Sequence, residues 1–578
     1  MSTNDAGPSF STLPVELLYQ IFDYLDAPTI FLSVRSTCRR LKAIVNTYDR
    51  FNLNLSSISK PDFHIICSSI HPSNIILLTL SDDSHTPGQI ELFLSLFCIR
   101  QFNQLRSLTL CAIKEDHLNN FLQHINTISL IALSFNVTKY SHRKTKRTAA
   151  LISSVLMQLS LRKLHLGIEY NRIRTVNWPV QCTVQYLRMV KSIEFNEFCS
   201  ILHQLSHLRT LVLGNVISIE LSSLTPCRQI ISLTFEDYSM EMYQLALILS
   251  LTPSLIHLKL IGNNNSFQGN QCEQLIQENL PLLNKFEFFL WQQNLTSRNR
   301  DIIEEIIEQF RTPFWLEYKR WFITCEYSVE NSSEIRLYSI PVCCSYFNYE
   351  PEAIKVSCSN LPLIVSDGIS TMDSVKNVFV NTRKATTAAS KLQIEQLKYH
   401  LFLKTTQLAL TVEKHWPLNT VQLLSSLIDL SQLVYLKIDS SEIRFNSDML
   451  TGIASLLKQA CNISSLEIQF SFSQQNSAIT AESIYSIIPT HVKHLRVTIY
   501  NTHQLNTILE LLKFNNHLSS VHFHVIQRQM FDKIIPWLVQ NTNSMYRENR
   551  NSLEVWLSKS IIQSNQITFS QKRKYEQE

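Results

Sequence analysis

The sequence predicts an α/β protein: a short N-terminal module of three helices, then a long, irregular solenoid of strand–helix units. Its parallel strands would line a concave face and its helices a convex one. Three observations carry that prediction. The chain has 578 residues, more than one compact core supports, so several domains or one repeat array is the starting expectation. An apolar signature of the form L-x-x-L-x-L recurs over most of its length, the mark of an internal repeat. Residues 9–50 carry a different, helical apolar spacing that the repeat does not share.

Within 9–50, Pro14 suits a first helical position, where its missing N–H would have no partner anyway. Glu16 favours the positive end of the helix dipole. Leu17, Leu18, Ile21, Phe22 and Leu25 then form two adjacent stripes, Leu17–Ile21–Leu25 and Leu18–Phe22–Leu25. A second segment, 28–34, carries Ile30, Phe31, Leu32 and Val34. A third, from near Ser36, places Cys38, Leu41, Ile44 and Val45 on one face. About forty residues cannot bury both stripes alone. One stripe closes the bundle, and the other needs a cover, either the repeat behind it or a separate partner.

The repeat signature, with Ile, Val or Phe replacing some leucines, occurs at Leu105-Leu108-Leu110, Leu161-Leu164-Leu166, Leu208-Leu211-Leu213 and Ile230-Leu233-Phe235. Leu255-Leu258-Leu260 and Leu283-Phe286-Phe288 follow. It resumes at Leu433-Leu436-Ile438, Ile463-Leu466-Ile468, Val492-Leu495-Val497 and Leu518-Val521-Phe523. Alternating Phe51, Leu53 and Leu55 suggest an opening strand. Residues 51–300 are thus a first block and 401–560 a second, with a polar tail at 561–578. Residues 301–400 break the rhythm: a helix over 301–310, strands over 322–329, 334–340 and 375–380, and an aromatic loop over 341–349. Degenerate repeats with an insertion and a true boundary between two blocks both remain open.

Composition excludes several function classes. Fifty-two basic against 47 acidic side chains leave a net charge of +5, no general mandate for nucleic acid or membrane. Only 8 glycines are present, and neither GxGxxG nor GxxxxGK occurs, so a nucleotide-dependent enzyme is not expected. The polar start Met1–Phe10 shows no signal peptide, and no run of about 18 apolar residues would span a membrane. The 13 cysteines are odd in number and scattered, and read as reduced thiols of a cytoplasmic or nuclear protein. His203 and His207 have helical spacing but lack a zincin glutamate, and Cys343-Cys344 with Cys358 offers no CxxC pair, so no metal or other cofactor is expected. No G-x-S-x-G elbow is present, and no catalytic residues are assigned. The basic cluster Lys139, His142, Arg143, Lys144, Lys146 and Arg147 reads as a solvated loop, with RNA a lesser alternative because only Tyr140 interleaves. Lys572-Arg573-Lys574 is a weak nuclear-signal candidate.

Recognition chemistry is expected on the strands. Where signature residues face inward, the intervening ones face the concave side: Lys163 and His165, Thr210 and Val212, Ser232, Thr234 and Glu236, His257 and Lys259, Lys285, Glu287 and Phe289. The second block contributes Tyr435, Lys437 and Asp439, Ser465, Glu467 and Gln469, His494, Arg496 and Thr498, and Ser520, His522 and His524. Tyr435, Lys437, Glu467, His494, Arg496, His522 and His524 are the candidate partner-binding residues. The histidine-rich part of the patch suits an acidic or phosphorylated peptide held more tightly at lower pH.

The order Leu13-Pro14-x-Glu16-Leu17-Leu18-x-x-Ile21-Phe22-x-Tyr24-Leu25, followed by Pro28, Leu32, Val34 and Cys38-Arg39, resembles the F-box. That resemblance implies docking on a Skp-type adaptor, and through it on a cullin, in an SCF-type ubiquitin ligase. By position, Leu13, Pro14, Ile21, Leu25 and Leu32 would contribute to the contact. Leu41 stands where many F-boxes carry Trp, which retains apolar burial but loses the larger ring. The strand–helix units resemble the leucine-rich repeats that follow many F-boxes, although the consensus Asn is mostly missing. The resemblance implies a non-catalytic substrate-recognition subunit whose repeat face holds an unidentified target protein. The alternative is a repeat scaffold whose F-box-like helices only cap the array.

Overall fold

The computed structural model describes residue 10 and residues 13–125, 130–140, 145–218, 225–293, 300–328, 334–350, 355–361, 372–381, 401–412, 420–440, 447–470, 487–499, 505–506, 508–509, 512 and 517–558. It begins with helix α1 (Val15–Phe22), a π-helical turn over Thr29–Val34, α2 (Arg35–Thr37) and α3 (Arg39–Thr47). Pro14 caps α1 from outside, with an extended ψ, rather than occupying its first turn. Cys38 breaks the third segment: its backbone is extended and its Sγ accepts a hydrogen bond from Leu41 N at 3.5 Å, so α3 starts later than the apolar spacing suggests.

The strands follow in chain order: β1 (Phe51–Asn54), β2 (Ile75–Ser81), β3 (Ser107–Lys114), β4 (Ala132–Lys139), β5 (Lys163–Gly167), β6 (Tyr186–Met189), β7 (Ile193–Glu194), β8 (Thr210–Leu213), β9 (Val216–Ile217), β10 (Ser232–Tyr238), β11 (His257–Asn263) and β12 (Lys285–Gln293). Next come β13 (Phe322–Ser328), β14 (Glu334–Ile340), β15 (Tyr346–Tyr349), β16 (Lys355–Ser359), β17 (Asn377–Asn381), β18 (Gln407–Thr411), β19 (Tyr435–Ser440), β20 (Ser465–Phe470), β21 (His494–Ile499), β22 (Ser520–Val525), β23 (Met545–Glu548) and β24 (Ser552–Trp556). They form two open sheets. The first runs β1-β2-β3-β4-β5-β6-β8-β10-β11-β12-β14-β13-β16, and the second β15-β17-β18-β19-β20-β21-β22-β24-β23. β7 and β9 pair separately.

Each L-x-x-L-x-L signature falls on a parallel strand, and the register aligns like with like. Leu233 and Phe235 pair with Leu211 and Leu213 on one side and with Leu258 and Leu260 on the other. These residues are fully buried or nearly so, in one core with the apolar faces of the intervening helices. The backbone repeats as faithfully as the side chains. Arg106 O accepts from both Ile131 N and Ala132 N, Ile131 O from Arg162 N and Lys163 N, and Arg162 O from Gln185 N and Tyr186 N. The pattern recurs in the second sheet, where Thr406 O serves Val434 N and Tyr435 N, and Val434 O serves Ser464 N and Ser465 N. Main-chain groups thus satisfy one another from unit to unit, and the stacking needs no conserved polar side chain.

The interruption at 301–400 is where one sheet ends and the next begins. After β12 the parallel run stops, and β14, β13 and β16 add antiparallel. The second sheet starts at β15, well ahead of residue 401, and its units are resumed through β17 and β18. The expected aromatic loop is thus partly strand: Phe347 packs on Phe289 of the first sheet at 6.2 Å, and Arg336 donates to Asn348 O at 2.9 Å. The second sheet also closes with antiparallel strands, β24 and β23. Among the described residues, no helix is long and apolar enough to cross a membrane.

Candidate functional site

The two stripes of the N-terminal module part company. Leu18 and Phe22 point into the core, where Phe22 meets Tyr48 edge-on at 5.5 Å. Tyr48 and Phe31 each pack on Phe51 of β1 at 4.8 Å, and Arg35 donates to Ser69 Oγ, which fixes the module on the start of the first sheet. Tyr48 also donates to Asp23 Oδ1 at 2.6 Å, and burial, then that bond, raises its pKa well above the ordinary phenol range. The other stripe is only partly covered: Ile21 and Leu25 pack against the core with part of each side chain outside. Leu17 is 45% exposed and Tyr24 92%. Ile21, Leu25, Leu13 and Leu32 are half-buried, and Pro14 is exposed. The module is therefore complete on one side and presents an apolar strip of α1 on the other.

Residues 10–51 match the F-box-like family model. They form an F-box-like domain, and the helix order and buried face just described are its framework. Among curated proteins, none matches the chain. Leu41 of this domain is buried in the module's own core, so replacing the usual Trp alters internal packing before it alters any docking face.

The polar positions of the second sheet converge on Glu467, which is 3% exposed. It accepts from Tyr435 Oη at 2.6 Å and lies 3.2 Å from both Lys437 Nζ and Arg496 Nη1. Burial pushes the Glu467 carboxyl up, but the Tyr435 bond and the charges of Arg496 and Lys437 outweigh it and hold the pKa below the usual range. The same contact, after burial itself, raises Tyr435. His494 bonds Ser520 Oγ at 2.8 Å and lies against the ring of His85, from the first sheet's side, at 4.3 Å between centroids. His494 and His522 are 4% and 6% exposed. Arg496 and His524 remain exposed.

This corrects the acid-responsive reading of the histidine patch. Burial, with the neighbouring His85, pushes His494 down to about 3, and burial with Arg496 does the same to His522. Neither ring gains charge on mild acidification, so neither supplies an anion site there.

An open polar face lies instead on the first sheet, and part of it escaped the sequence reading. Arg188 of β6 forms an ion pair with Glu236 at 3.0 Å, both side chains about one-third exposed. Val184-Leu187-Met189 fits the same signature spacing and would have located it. Glu287 accepts from His257 Nε2 at 2.7 Å and lies 3.0 Å from Lys285 Nζ. Burial raises its carboxyl, and those two partners reverse the sign and hold it at about 2. Lys259 reaches across to Cys343 O at 2.6 Å.

The remaining sequence candidates find ordinary places. All 13 cysteines are free, and Cys343 and Cys344 are buried. His203 faces Cys227 Sγ at 3.6 Å. Among the described residues, no group of three His, Cys, Asp or Glu is placed to hold a metal ion. Arg147 bonds Gln123 at 3.2 Å. His142, Arg143, Lys144 and the tail residues Lys572-Arg573-Lys574 lie outside the described residues.

Proposed function

We propose that the chain is a non-catalytic substrate-recognition subunit of an SCF-type ubiquitin ligase. The observation that supports this most is the split of α1: an F-box-like domain with one apolar stripe fully buried and the other only partly covered. If the domain served only as a cap for the array, Leu17, at the exposed edge of the stripe Leu17–Ile21–Leu25, would have no need to be apolar. Leu13, Pro14, Ile21, Leu25 and Leu32 surround that strip and are assigned to a Skp-type adaptor, with a cullin beyond it. The strand–helix units are read as leucine-rich repeats. Target recognition is assigned to half-buried and exposed polar positions of the sheets, namely Arg188, Glu236, His257 and Lys285 on the first and Arg496 and His524 on the second. In this reading the protein contributes proximity and orientation, and catalysis belongs to other subunits.

Co-expression with a Skp-type adaptor tests the docking half. The unaltered protein is expected to capture the adaptor. Leu17→Asp and Ile21→Asp, each placing a charge in the apolar strip, should weaken capture at least tenfold, because burying an unpaired carboxylate is costly. Circular dichroism should show both variants folded, Leu17→Asp above all, since Leu17 is half exposed already. Absence of capture by the unaltered chain would remove the ligase reading. Equal capture by the Leu17→Asp variant would move the contact elsewhere.

A further inference from the structure

The two ends of the chain meet. Trp556 of β24 is fully buried, and it belongs to the core of the first sheet although its strand belongs to the second. Its indole N–H donates to Ile58 O at 2.9 Å, 498 residues away, and its ring meets Phe63 edge-on at 5.3 Å. Arg547 of β23 donates to Asp82 O at 2.6 Å, and Lys60 Nζ donates to Asn543 O at 2.7 Å. Beside them His85 lies on His494 and comes within 3.5 Å of Ser465 Oγ.

We propose that the β23–β24 hairpin is a latch, docking the end of the second sheet on the start of the first and, when released, uncovering the polar face of β20–β22.

Three features of the seam support a latch rather than a permanent join. Among the described residues, no strand pairing crosses it: β1 ends one sheet and β23 the other, whereas every step along each sheet carries a backbone ladder. The contacts that cross are made by side chains: two ring pairs, Phe63–Trp556 and His85–His494, the Ser465–His85 bond and the hydrogen bonds to carbonyls, each modest individually. Each sheet has its own buried core, so separation at the seam withdraws Trp556 from the first and leaves the residues of each sheet's own units packed together. Polar groups near the seam also oppose closure. Among the described residues, Asp82 Oδ2 and both ring nitrogens of His522 are buried without a hydrogen-bond partner, and access to water relieves such groups. The loop that carries Asp82 and His85 is itself firmly built. Asp82 Oδ1 accepts from Ile90 N at 2.8 Å, Thr86 Oγ1 donates to Ser81 O at 2.8 Å, and Gly88 turns the chain with a left-handed φ of 81°. It is therefore a fixed seat for the hairpin. That the uncovered face takes a target protein rests on the reading given above; the opening itself does not.

Hydroxyl-radical footprinting of the full chain, read by mass spectrometry, tests the latch without any partner. In a Lys60→Ala/Arg547→Ala variant, oxidation of Trp556 and Phe63 should rise together by roughly tenfold, the size expected for losing two such bonds. Trp315, fully buried elsewhere in the first core, should stay protected. Trp556→Phe, which retains the ring and removes the donor to Ile58, should raise Phe63 oxidation in the same direction. Unchanged rates at Trp556 and Phe63 would overturn the proposal, as would a rise that Trp315 shares, since that reports general unfolding. Adaptor capture is not read in this experiment, so its outcome stands apart from the docking test.

Discussion

Replacing Arg172 with alanine is expected to lower folding stability by about 3–5 kcal/mol, the cost of stranding a buried charge. Arg172 Nη2 lies 3.2 Å from Glu115 Oε2, with the two side chains 5% and 1% exposed. Thr148 donates to the same carboxylate at 2.7 Å, and the guanidinium lies over the Tyr140 ring at 5.1 Å. The group therefore ties together the starts of the helix Glu115–Ile125 and the helices Thr145–Leu156 and Tyr170–Ile173. Removing the cation leaves Glu115 in a site that water does not reach. The double replacement Glu115→Gln/Arg172→Met removes both charges and should recover most of the loss, because paired burial itself contributes little net stability. Urea unfolding midpoints of the parent, single and double variants measure this. Equal losses in single and double variants would show that packing, not the stranded charge, sets the cost.

Acidification from pH 7.5 to 5 is expected to destabilise the second sheet and its seam. His494 and His522 have folded pKa values of about 3, below the ordinary 6.5. A group depressed in this way contributes stability that is present above its unfolded pKa and is lost as pH falls from about 6.5 toward 3. At pH 5 each ring would withdraw about 2 kcal/mol. His85 and His165, also lowered by burial, act in the same direction. Asp82 opposes them. Burial raises its carboxyl to about 6, so protonation favours the folded state and returns roughly 1 kcal/mol at pH 5. Glu554, also raised by burial, opposes them as well; the two rings and Asp82 together give a loss of roughly 3 kcal/mol, and urea midpoints at the two pH values should show a loss. His522→Leu should reduce the pH dependence and leave stability at pH 7.5 equal or higher, since neither ring nitrogen has a partner to lose among the described residues. A steeper pH dependence in that variant would refute the assignment.

Most of the fold was legible because its determinants are local. The signature L-x-x-L-x-L states which side chains of a strand face the core, and the parallel register follows from stacking equivalent units. The same spacing is present at Ile75-Leu78-Leu80, Leu130-Leu133-Phe135, Val184-Leu187-Met189 and Val375-Val378-Val380, and each lies on a strand of the same kind. In the first, third and fourth of these, Ile, Val and Met weaken the leucine pattern without changing the burial. The F-box-like domain was legible from the order of its residues, Leu13-Pro14 through Cys38-Arg39; the two apolar stripes of one short helix say only that about forty residues cannot cover both.

The polar sites were less legible. Alternation along a strand identified Glu467, His494 and His522 as facing away from the leucine core, and that orientation alone suggested exposure. Their burial depends on Tyr435, Lys437 and Arg496 converging on one carboxylate and on His85 arriving from the far end of the chain. No local pattern encodes that arrival.

By itself, then, the sequence determined which residues pack within each unit, where the N-terminal module ends and that α1 carries two apolar stripes. Only the tertiary structure decided which polar positions remain open to a partner. The reason is physical: periodicity fixes contacts between neighbours in sequence, whereas the meeting of Trp556 with Ile58 and of His494 with His85 depends on how every unit between them is stacked.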